Sequence, residues 1–175
     1  MKTALIMKSV VLEEKEKLVG LKELINEKIL IFDGAMGTML QKKGLKVGEN
    51  PELLNVKSPD IIEEIHKEYI ESGANVITTN TFGANERKLK LCNLQVEEAV
   101  DAAVQIAKNA RGSREIYIAL DIGPIGELLE PMGTLSFDDA YQIFKRQIVQ
   151  GVKSGADIIL FETMTDLYEL KAAVL

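Results

Sequence analysis

Polar side chains directly follow four short apolar runs in this 175-residue sequence. They are Asp33, Asn80 with Thr81, Asp121, and Glu162 with Thr163. Carboxylates such as Asp33 and Glu162, if they face one site, would form charge-assisted hydrogen bonds with an ammonium group. Any one of these residues taken alone could equally cap the helix that follows it. Four of them at matched positions favour a shared binding site.

The first of these positions opens a glycine-containing turn, Asp33-Gly34-Ala35-Met36-Gly37-Thr38. Two glycines three residues apart allow a tight turn, and successive outward-facing amides form a concavity that can hold an anion. The GK[ST] signature of a nucleotide-binding loop is missing. Receptors for a carboxylate and for an ammonium group together predict an amino-acid site. A glycosidase could also use two such carboxylates, although no aromatic sugar platform is evident.

Alternating strands and helices must position these side chains. The predicted strands are Lys28 to Phe32, Asn75 to Thr79, Glu115 to Leu120 and Asp157 to Phe161. Their nearly continuous apolar character is typical of parallel strands that are covered on both faces. Helix starts are indicated at Ser58-Pro59 and at Ser136, and Gly112 indicates a helix end. The pattern predicts four β-α units.

An internal repeat supports a regular arrangement of these units. The segment from Ser72 to Ile77 recurs 82 residues later, from Ser154 to Ile159, and the same offset carries Asn80 onto Glu162. One unit then occupies about 41 residues, which favours a barrel over an open sheet, although an open sheet can also repeat. Ser-Gly-Ala before an apolar run is also a common helix-to-strand turn.

Bulk properties exclude several classes of protein. The net charge is −6 and no basic stripe is present, so a nucleic-acid partner is not expected. The single cysteine, Cys92, is expected to be a passive thiol on a helix or loop, and His66 a solvated helix histidine. The absence of an 18-residue apolar run and of a signal-peptide core predicts a cytoplasmic protein without a membrane partner.

Five motifs, in this order and at this spacing, resemble the homocysteine S-methyltransferase family from about Glu27 to the end. They are DGAMGT from Asp33, ELLN from Glu52, TTNTFGAN from Thr78, DIGP from Asp121 and FET from Phe161. The set is more similar to the cobalamin-dependent methionine synthase branch than to the betaine-dependent branch.

The resemblance implies a (β/α)₈ TIM barrel that binds homocysteine and a zinc ion. By the family pattern, Asp33 and Glu162 would hold the amino group of homocysteine, and amides around Gly34, Ala35 and Met36 would receive its carboxylate. Asn80 and Thr81 would line the same pocket. Zinc would stabilise the substrate thiolate. That thiolate would then take a methyl group, carried on cobalamin and derived from methyltetrahydrofolate, to give methionine.

The resemblance also implies that this chain holds only part of the site, because the family's zinc ligands are cysteines in the second half of the barrel. Cys92 matches none of them. Residues 27–175 are expected to form the first four β-α units, a half-barrel, after a leading helical segment over residues 1–26. The chain is expected to end inside a helix, and a complete barrel typically needs about 250 residues.

Such a half-barrel would leave strand edges bare, so its partner would be the missing C-terminal half-barrel or a second copy of the chain. The isolated chain is therefore expected to be inactive. Two alternatives stay open at this point. One is a non-catalytic half-barrel that dimerises or binds a partner, and the other is an unrelated barrel enzyme using strand-end carboxylates.

Overall fold

A computed structural model of the chain describes residues 23, 25–27 and 29–175. The chain divides into two units, residues 1–31 and residues 32–175. In the first unit, residues 23 and 25–27 are helical and residues 29–31 are not. The rest of the predicted leading segment, 1–26, lies outside the described residues. Every candidate site residue belongs to the second unit.

The second unit is built around a three-stranded parallel sheet in the order β1-β2-β3. The strands are β1 (Val76–Thr78), β2 (Tyr117–Ile122) and β3 (Ile158–Phe161). The α-helices are α1 (Met36–Lys42), α2 (Leu54–Lys57), α3 (Pro59–Glu71), α4 (Glu86–Leu89), α5 (Val96–Arg111), α6 (Phe137–Ser154) and α7 (Leu167–Val174). Two 3₁₀ helices, Pro51–Leu53 and Lys90–Cys92, complete the list.

Local chemistry sets several helix boundaries where the sequence predicts them. The hydroxyl of Ser136 accepts a hydrogen bond from the amide of Asp139 at the start of α6. Pro59 occupies the first turn of α3, although Ser58 before it makes no side-chain cap. Gly112 ends α5 with a φ of 57°, a backbone conformation that costs glycine little. These boundaries place each strand directly after a helix.

The sequence repeat corresponds to two equivalent helix-to-strand turns. Gly73 follows α3 with a φ of 102°, and Gly155 follows α6 with a φ of 89°. Both glycines adopt the left-handed conformation that terminates helices, and strands β1 and β3 begin three residues later. The repeat therefore marks the place where the chain turns from the outer helices into the sheet.

The first predicted strand is mostly absent, so the prediction of four complete β-α units is not confirmed. Residues 29–31 have no strand structure. Phe32 forms a single parallel bridge with Val76, and the amide of Asp33 donates to the carbonyl of Val76 at 2.9 Å. An edge strand receives ladder hydrogen bonds from one neighbour only, so an apolar run alone does not extend the ladder. The bridge still places Asp33 beside β1.

Alternation along β2 gives the sheet two distinct faces. Ile118, Leu120 and Ile122 pack into apolar clusters with the helices, and the largest cluster also contains Val100, Val104 and Phe144. Tyr117, Ala119 and Asp121 point to the opposite face. Asp121 pairs with Leu160 of β3, so these two residues share that face. Asp121 is thereby held on the face of the sheet away from these helices.

The prediction for His66 is wrong. His66 is 0% exposed and lies between Ile62 and Ile70 on the buried face of α3, and neither ring nitrogen has a hydrogen-bond partner among the described residues. Burial lowers its pKa to about 4. The charged neighbours suggested a solvated side chain, but a residue's helical face is set by positions three and four away.

Cys92 lies in the 3₁₀ helix Lys90–Cys92, where its thiol donates to the carbonyl of Leu89. This position fits the expected passive thiol. Among the residues that the structure describes, no helix is long and apolar enough to cross a membrane.

Candidate functional site

A cavity of about 1220 Å³ opens at the C-terminal ends of the three strands. We call it the strand-end cavity. Its walls come from the turn after Phe32, the segment 48–54, the ends of β1, β2 and β3, and residues 82, 83, 88, 91 and 92. Six of the seven predicted binding residues line it, namely Asp33, Gly34, Ala35, Met36, Asn80 and Glu162.

Asp33 is fixed by both oxygens of its carboxylate. Oδ2 accepts from the amide of Thr78 at 2.9 Å, and Oδ1 accepts from the Thr78 hydroxyl at 3.0 Å. Burial raises the pKa of Asp33 to about 6, and the negative charge of Glu162 adds to the rise. Hydrogen bonds from Thr78 oppose that rise because they favour the ionised form. The carboxyl is thus rigid, only partly solvated, and close to a second carboxylate.

The turn after Asp33 needs glycine for a steric reason. A Cβ atom on Gly34 would lie 2.8 Å from Oη and 2.9 Å from Cε1 of Tyr69, closer than real Cβ contacts come. Helix α1 follows, and its N-cap residue, Ala35, supplies no side-chain cap. The first amides of a helix have no carbonyl partner within it. The amide of Met36 and its neighbours at this turn therefore remain available to a carboxylate.

Asn80 lines the strand-end cavity, but its amide group is used to build the wall. Its Nδ2 donates to the carbonyl of Pro51 and to Oδ1 of Asn55, each at 2.8 Å. Asn55 returns a hydrogen bond from its own Nδ2 to the Asn80 carbonyl at 2.8 Å. The pair ties the end of β1 to the segment 51–55. Asn80 thus supports the site and presents only part of its surface to the cavity.

Thr81 was expected to line the pocket, but it is not among the residues that line the strand-end cavity. It is fully buried behind the wall, where its hydroxyl donates to the carbonyl of Asp121 at 2.7 Å and contacts the Thr79 hydroxyl at 2.6 Å. Gln147 of α6 donates to the Thr81 carbonyl at 2.8 Å. Thr81 does not line the cavity. Its hydrogen bonds instead join the end of β1 to β2 and α6.

Glu162 and Thr163 come directly after β3. The amide of Glu162 donates to the carbonyl of Ile122 at 3.1 Å, which continues the ladder to this residue, and its exposed side chain lines the strand-end cavity. Thr163 has a φ of 55°, a conformation that is rare for a β-branched residue. Strained backbone of this kind is concentrated at functional sites.

Asp121 is a candidate site residue to which the sequence reasoning assigned no role. It lines the strand-end cavity, is only 8% exposed, and its Oδ1 is buried without a hydrogen-bond partner among the described residues. Burial raises its pKa to about 8, with further contributions from Glu162, Asp33 and Glu52. The available signal was its position, a strand-end carboxyl in the same series as Asp33 and Glu162.

Glu52 and Lys88 form a second group of buried charges, which sequence reasoning also left without a role. Glu52 is 3% exposed, and its Oε1 accepts from the amide of Gly83 at 2.5 Å. Lys88 donates to the carbonyl of Pro124 at 2.8 Å, and its Nζ lies 5.2 Å from the ring centroid of Phe82. Burial raises the pKa of Glu52 and lowers that of Lys88, and each charge partly offsets the other's burial. Together they fix the loops after β1 and β2.

The family resemblance implies a zinc ion, which needs several ligand side chains close together. In the part of the chain that the structure describes, no group of three or more histidine, cysteine, aspartate and glutamate side chains is arranged to hold a metal ion. The one cysteine, Cys92, donates its thiol proton to a backbone carbonyl. The described residues therefore do not fit a zinc site of the kind expected for the family.

Carboxyl groups at the carboxyl edge of a parallel sheet define an α/β protein with a polar cavity at its strand ends. A sequence profile of homocysteine S-methyltransferases matches residues 30–175. The chain therefore belongs to the homocysteine S-methyltransferase family, as its motifs predicted.

Two curated relatives are methionine synthases. That of Mycobacterium tuberculosis (strain ATCC 25618 / H37Rv) is 33% identical over 168 residues, and that of Mycobacterium leprae (strain TN) is 32% identical over the same length. Each alignment covers 89% of this chain but only 14% of the relative. The chain thus corresponds to a small part of these enzymes.

Solved structures of the Escherichia coli homocysteine methyltransferase MmuM have a similar fold. The oxidised form superposes with a TM-score of 0.76 at 22% identity, over 87% of this chain and 59% of that one. The metallated form gives a TM-score of 0.72 at 20% identity, over 87% and 60%. The chain therefore has an α/β fold with a parallel sheet like that of this methyltransferase, and it spans less than two thirds of its length.

Proposed function

We propose that this chain forms the amino-acid-binding wall of a homocysteine S-methyltransferase of the methionine synthase type. The observation that carries the proposal is the strand-end cavity of a family member, where the carboxyl groups of Asp33 and Glu162 line one space and the charge of Glu162 adds to the raised pKa of Asp33. A cation in that space would relieve their repulsion. The ammonium group of homocysteine is such a cation.

In this proposal the backbone turn next to Asp33 receives the substrate carboxylate. The amides around Gly34, Ala35 and Met36 line the same cavity, and α1 begins there without a side-chain cap. An α-amino acid carries its ammonium and carboxylate groups on one carbon atom. Adjacent receptors of opposite charge would therefore fix its orientation and direct the side chain away from the turn.

The thioalkyl side chain would then extend along the apolar part of the strand-end cavity. Leu53, Phe82 and Leu160 contribute to this part of its lining. Asn80 and Thr81 act as positioning residues in the proposal, because their hydrogen bonds join the strand ends and the segment 51–55 rather than reaching into the open space. Their replacement would disturb the geometry of the site.

The sheet itself is proposed to be the first part of a (β/α)₈ barrel, with β3 continued by a neighbouring strand. All four residues of β3 are only partly buried, whereas five of the six residues of β2, which has neighbours on both sides, are buried. The complementary half-barrel, or a second copy of the chain, would cover that edge. The zinc that activates the thiol and the cobalamin that supplies the methyl group would be held outside these residues, so the chain alone is proposed to be inactive.

Isothermal titration calorimetry tests the proposal on the whole chain in which this sequence occurs. L-homocysteine is compared with 4-mercaptobutanoate, which has the same thiol and carboxylate but no amino group. We expect homocysteine to bind and the analogue to bind at least about tenfold more weakly, because charged hydrogen bonds are lost. Absence of homocysteine binding, or equal binding of the two ligands, would contradict the proposal.

A further inference from the structure

Among the buried carboxyl groups that line the strand-end cavity, Asp121 differs from Asp33 and Glu52 because one of its oxygens is buried without a hydrogen-bond donor in the described part of the chain. Asp33 accepts from Thr78 through both oxygens, and Glu52 accepts from the amide of Gly83. Oδ1 of Asp121 is buried and has no partner in the described part of the chain. A buried polar atom without a partner costs free energy, so native proteins seldom retain one without a reason.

The backbone amide and carbonyl of Asp121 both form hydrogen bonds within the protein, so only its side chain is left to contact a ligand. Its amide donates to the hydroxyl of Thr79 at 3.2 Å, and its carbonyl accepts from the hydroxyl of Thr81 at 2.7 Å. These bonds, together with pairing to Leu160, lock the end of β2 in the sheet. The carboxyl group is consequently held at a fixed position on the cavity wall.

The charges that shift the pKa of Asp121 have the same sign as its carboxylate. Glu162 at the end of β3, Asp33 beside β1 and Glu52 of the 3₁₀ helix each disfavour its ionisation, and burial adds to their effect. Two lysines, Lys57 and Lys88, also line the strand-end cavity. Lys88 donates to the carbonyl of Pro124. The free protein therefore keeps Asp121 protonated at neutral pH, and its pKa is about 8.

We propose that Asp121 is a third acceptor for the substrate ammonium group, beside Asp33 and Glu162. The inference rests on the proposed homocysteine site and adds a residue to it. An ammonium group has three N–H donors, and Asp33, Glu162 and Asp121 are three carboxyl groups lining one cavity. The part of the Asp121 side chain that lines the cavity supplies the third acceptor, and the bound ammonium group favours the ionised form of the whole carboxyl group, including the buried Oδ1.

Binding then includes a defined proton transfer. In the free protein, Asp121 is a neutral carboxylic acid and the ligand is an ammonium ion. When the ammonium group binds, the O–H bond of Asp121 breaks, the proton leaves to solvent, and the carboxylate accepts an N–H from the ligand. The total charge is conserved because one proton is released for each ligand bound. At pH 7 the release is close to one proton, since a carboxyl with a pKa of about 8 is then mostly protonated.

The test measures proton release by calorimetry at pH 7 in two buffers that differ in ionisation enthalpy, on the whole chain that contains this sequence. L-homocysteine and 4-mercaptobutanoate are both titrated. Any proton lost from the thiol is common to the two ligands, so the difference between them reports the ammonium group alone. We expect wild-type protein to release close to one proton more with homocysteine than with the analogue.

Asp121→Asn keeps the size of the side chain and removes its ionisation. We expect this variant to lose the difference in proton release and to bind homocysteine about tenfold or more weakly, while its affinity for 4-mercaptobutanoate stays unchanged. Asp157→Asn is the matched control. Asp157 lies at the opposite end of the sheet, where its side chain is 5% exposed and accepts from Arg111 at 2.8 Å. The Asp157→Asn variant should show the same difference in proton release between the two ligands as wild-type protein.

The outcomes separate the two proposals. Wild-type protein that does not bind homocysteine refutes the proposed function. Wild-type protein that binds homocysteine without extra proton release refutes the role of Asp121, and this measurement needs no variant to fold. Equal weakening of both ligands by Asp121→Asn would also refute it, because the residue would then act through the fold instead of through the ammonium group.

Discussion

Replacing Asp121 with asparagine is expected to change how the stability of the ligand-free chain depends on pH. The pKa of the Asp121 carboxyl is raised from 3.8 to about 8 in the folded protein. Between these two values the folded state holds a proton that the unfolded chain has released. The stability that this group contributes is therefore complete below about pH 4 and is lost as the pH rises through about 8.

The size of the effect follows from that difference. From pH 6 to pH 8, the free energy of unfolding falls by about 2 kcal/mol through Asp121, because each pH unit costs about 1.4 kcal/mol while the carboxyl remains protonated. His66 acts in the opposite direction, since its pKa is lowered from 6.5 to about 4 in the folded state. Its contribution, about 1 kcal/mol from pH 6 upward, is the same in wild type and variant. The difference between the two proteins therefore reports Asp121, together with any change that its replacement causes in the coupled carboxyl of Asp33.

Urea unfolding followed by circular dichroism at pH 6, 7 and 8 measures this difference. We expect Asp121→Asn to gain about 2 kcal/mol relative to wild type between pH 6 and pH 8. Asp157→Asn, an exchange outside the strand-end cavity, is the control and should not show this gain even if it is less stable throughout. Parallel curves for wild type and Asp121→Asn would refute the assignment of a protonated, unpartnered carboxyl at this position.

Three further predictions concern single side chains. Glu162→Gln and Asp33→Asn should each weaken homocysteine binding by about 1–3 kcal/mol in calorimetry on the whole chain, and unchanged affinity in both would place the ammonium group elsewhere. Gly34→Ala should destabilise the chain by about 1–3 kcal/mol in urea unfolding because its Cβ meets the ring of Tyr69. The same exchange should cost less in a Tyr69→Ala background, which is itself less stable because Tyr69 packs against an apolar cluster. His66→Leu should reduce the fall in the free energy of unfolding from pH 6.5 toward pH 4, because the wild-type imidazole takes up a proton on unfolding in this range and leucine cannot. The same fall in wild type and variant would contradict this.

Strands in the interior of the sheet were predictable because burial on two faces leaves a simple pattern. The apolar runs located β1, β2 and β3 within a few residues, and Ser136 and Gly112 marked helix ends through local hydrogen bonding and backbone conformation. The run before Asp33 had the same composition but formed only the bridge at Phe32. Whether a run forms a strand depends on its neighbours in space, which composition does not report.

Residues that line the strand-end cavity were predictable where they directly follow a strand. Asp33 and Glu162 were found because strand ends meet at one edge of a parallel sheet. Thr81 was placed in the pocket by the same reasoning, but it lies beyond the end of β1, where its amide donates back to the carbonyl of Thr79 at 2.8 Å and the chain turns away from the cavity. Glu52 and Lys88 come from loops, and their approach depends on how those loops fold over the sheet. The distance between Glu52 and Lys88 along the sequence does not indicate that they meet in the fold.

The burial of Asp121 affects stability and affinity with opposite signs. A protonated carboxyl makes the free protein less stable as the pH rises, because the folded state resists the ionisation that the unfolded chain undergoes. The ammonium group of a ligand would favour the ionised form, so binding becomes easier over the same pH range in which the free fold weakens. An asparagine at position 121 would give a more stable protein and a poorer receptor. This opposition is the physical reason to expect a binding role for an unpartnered carboxyl at the end of a central strand.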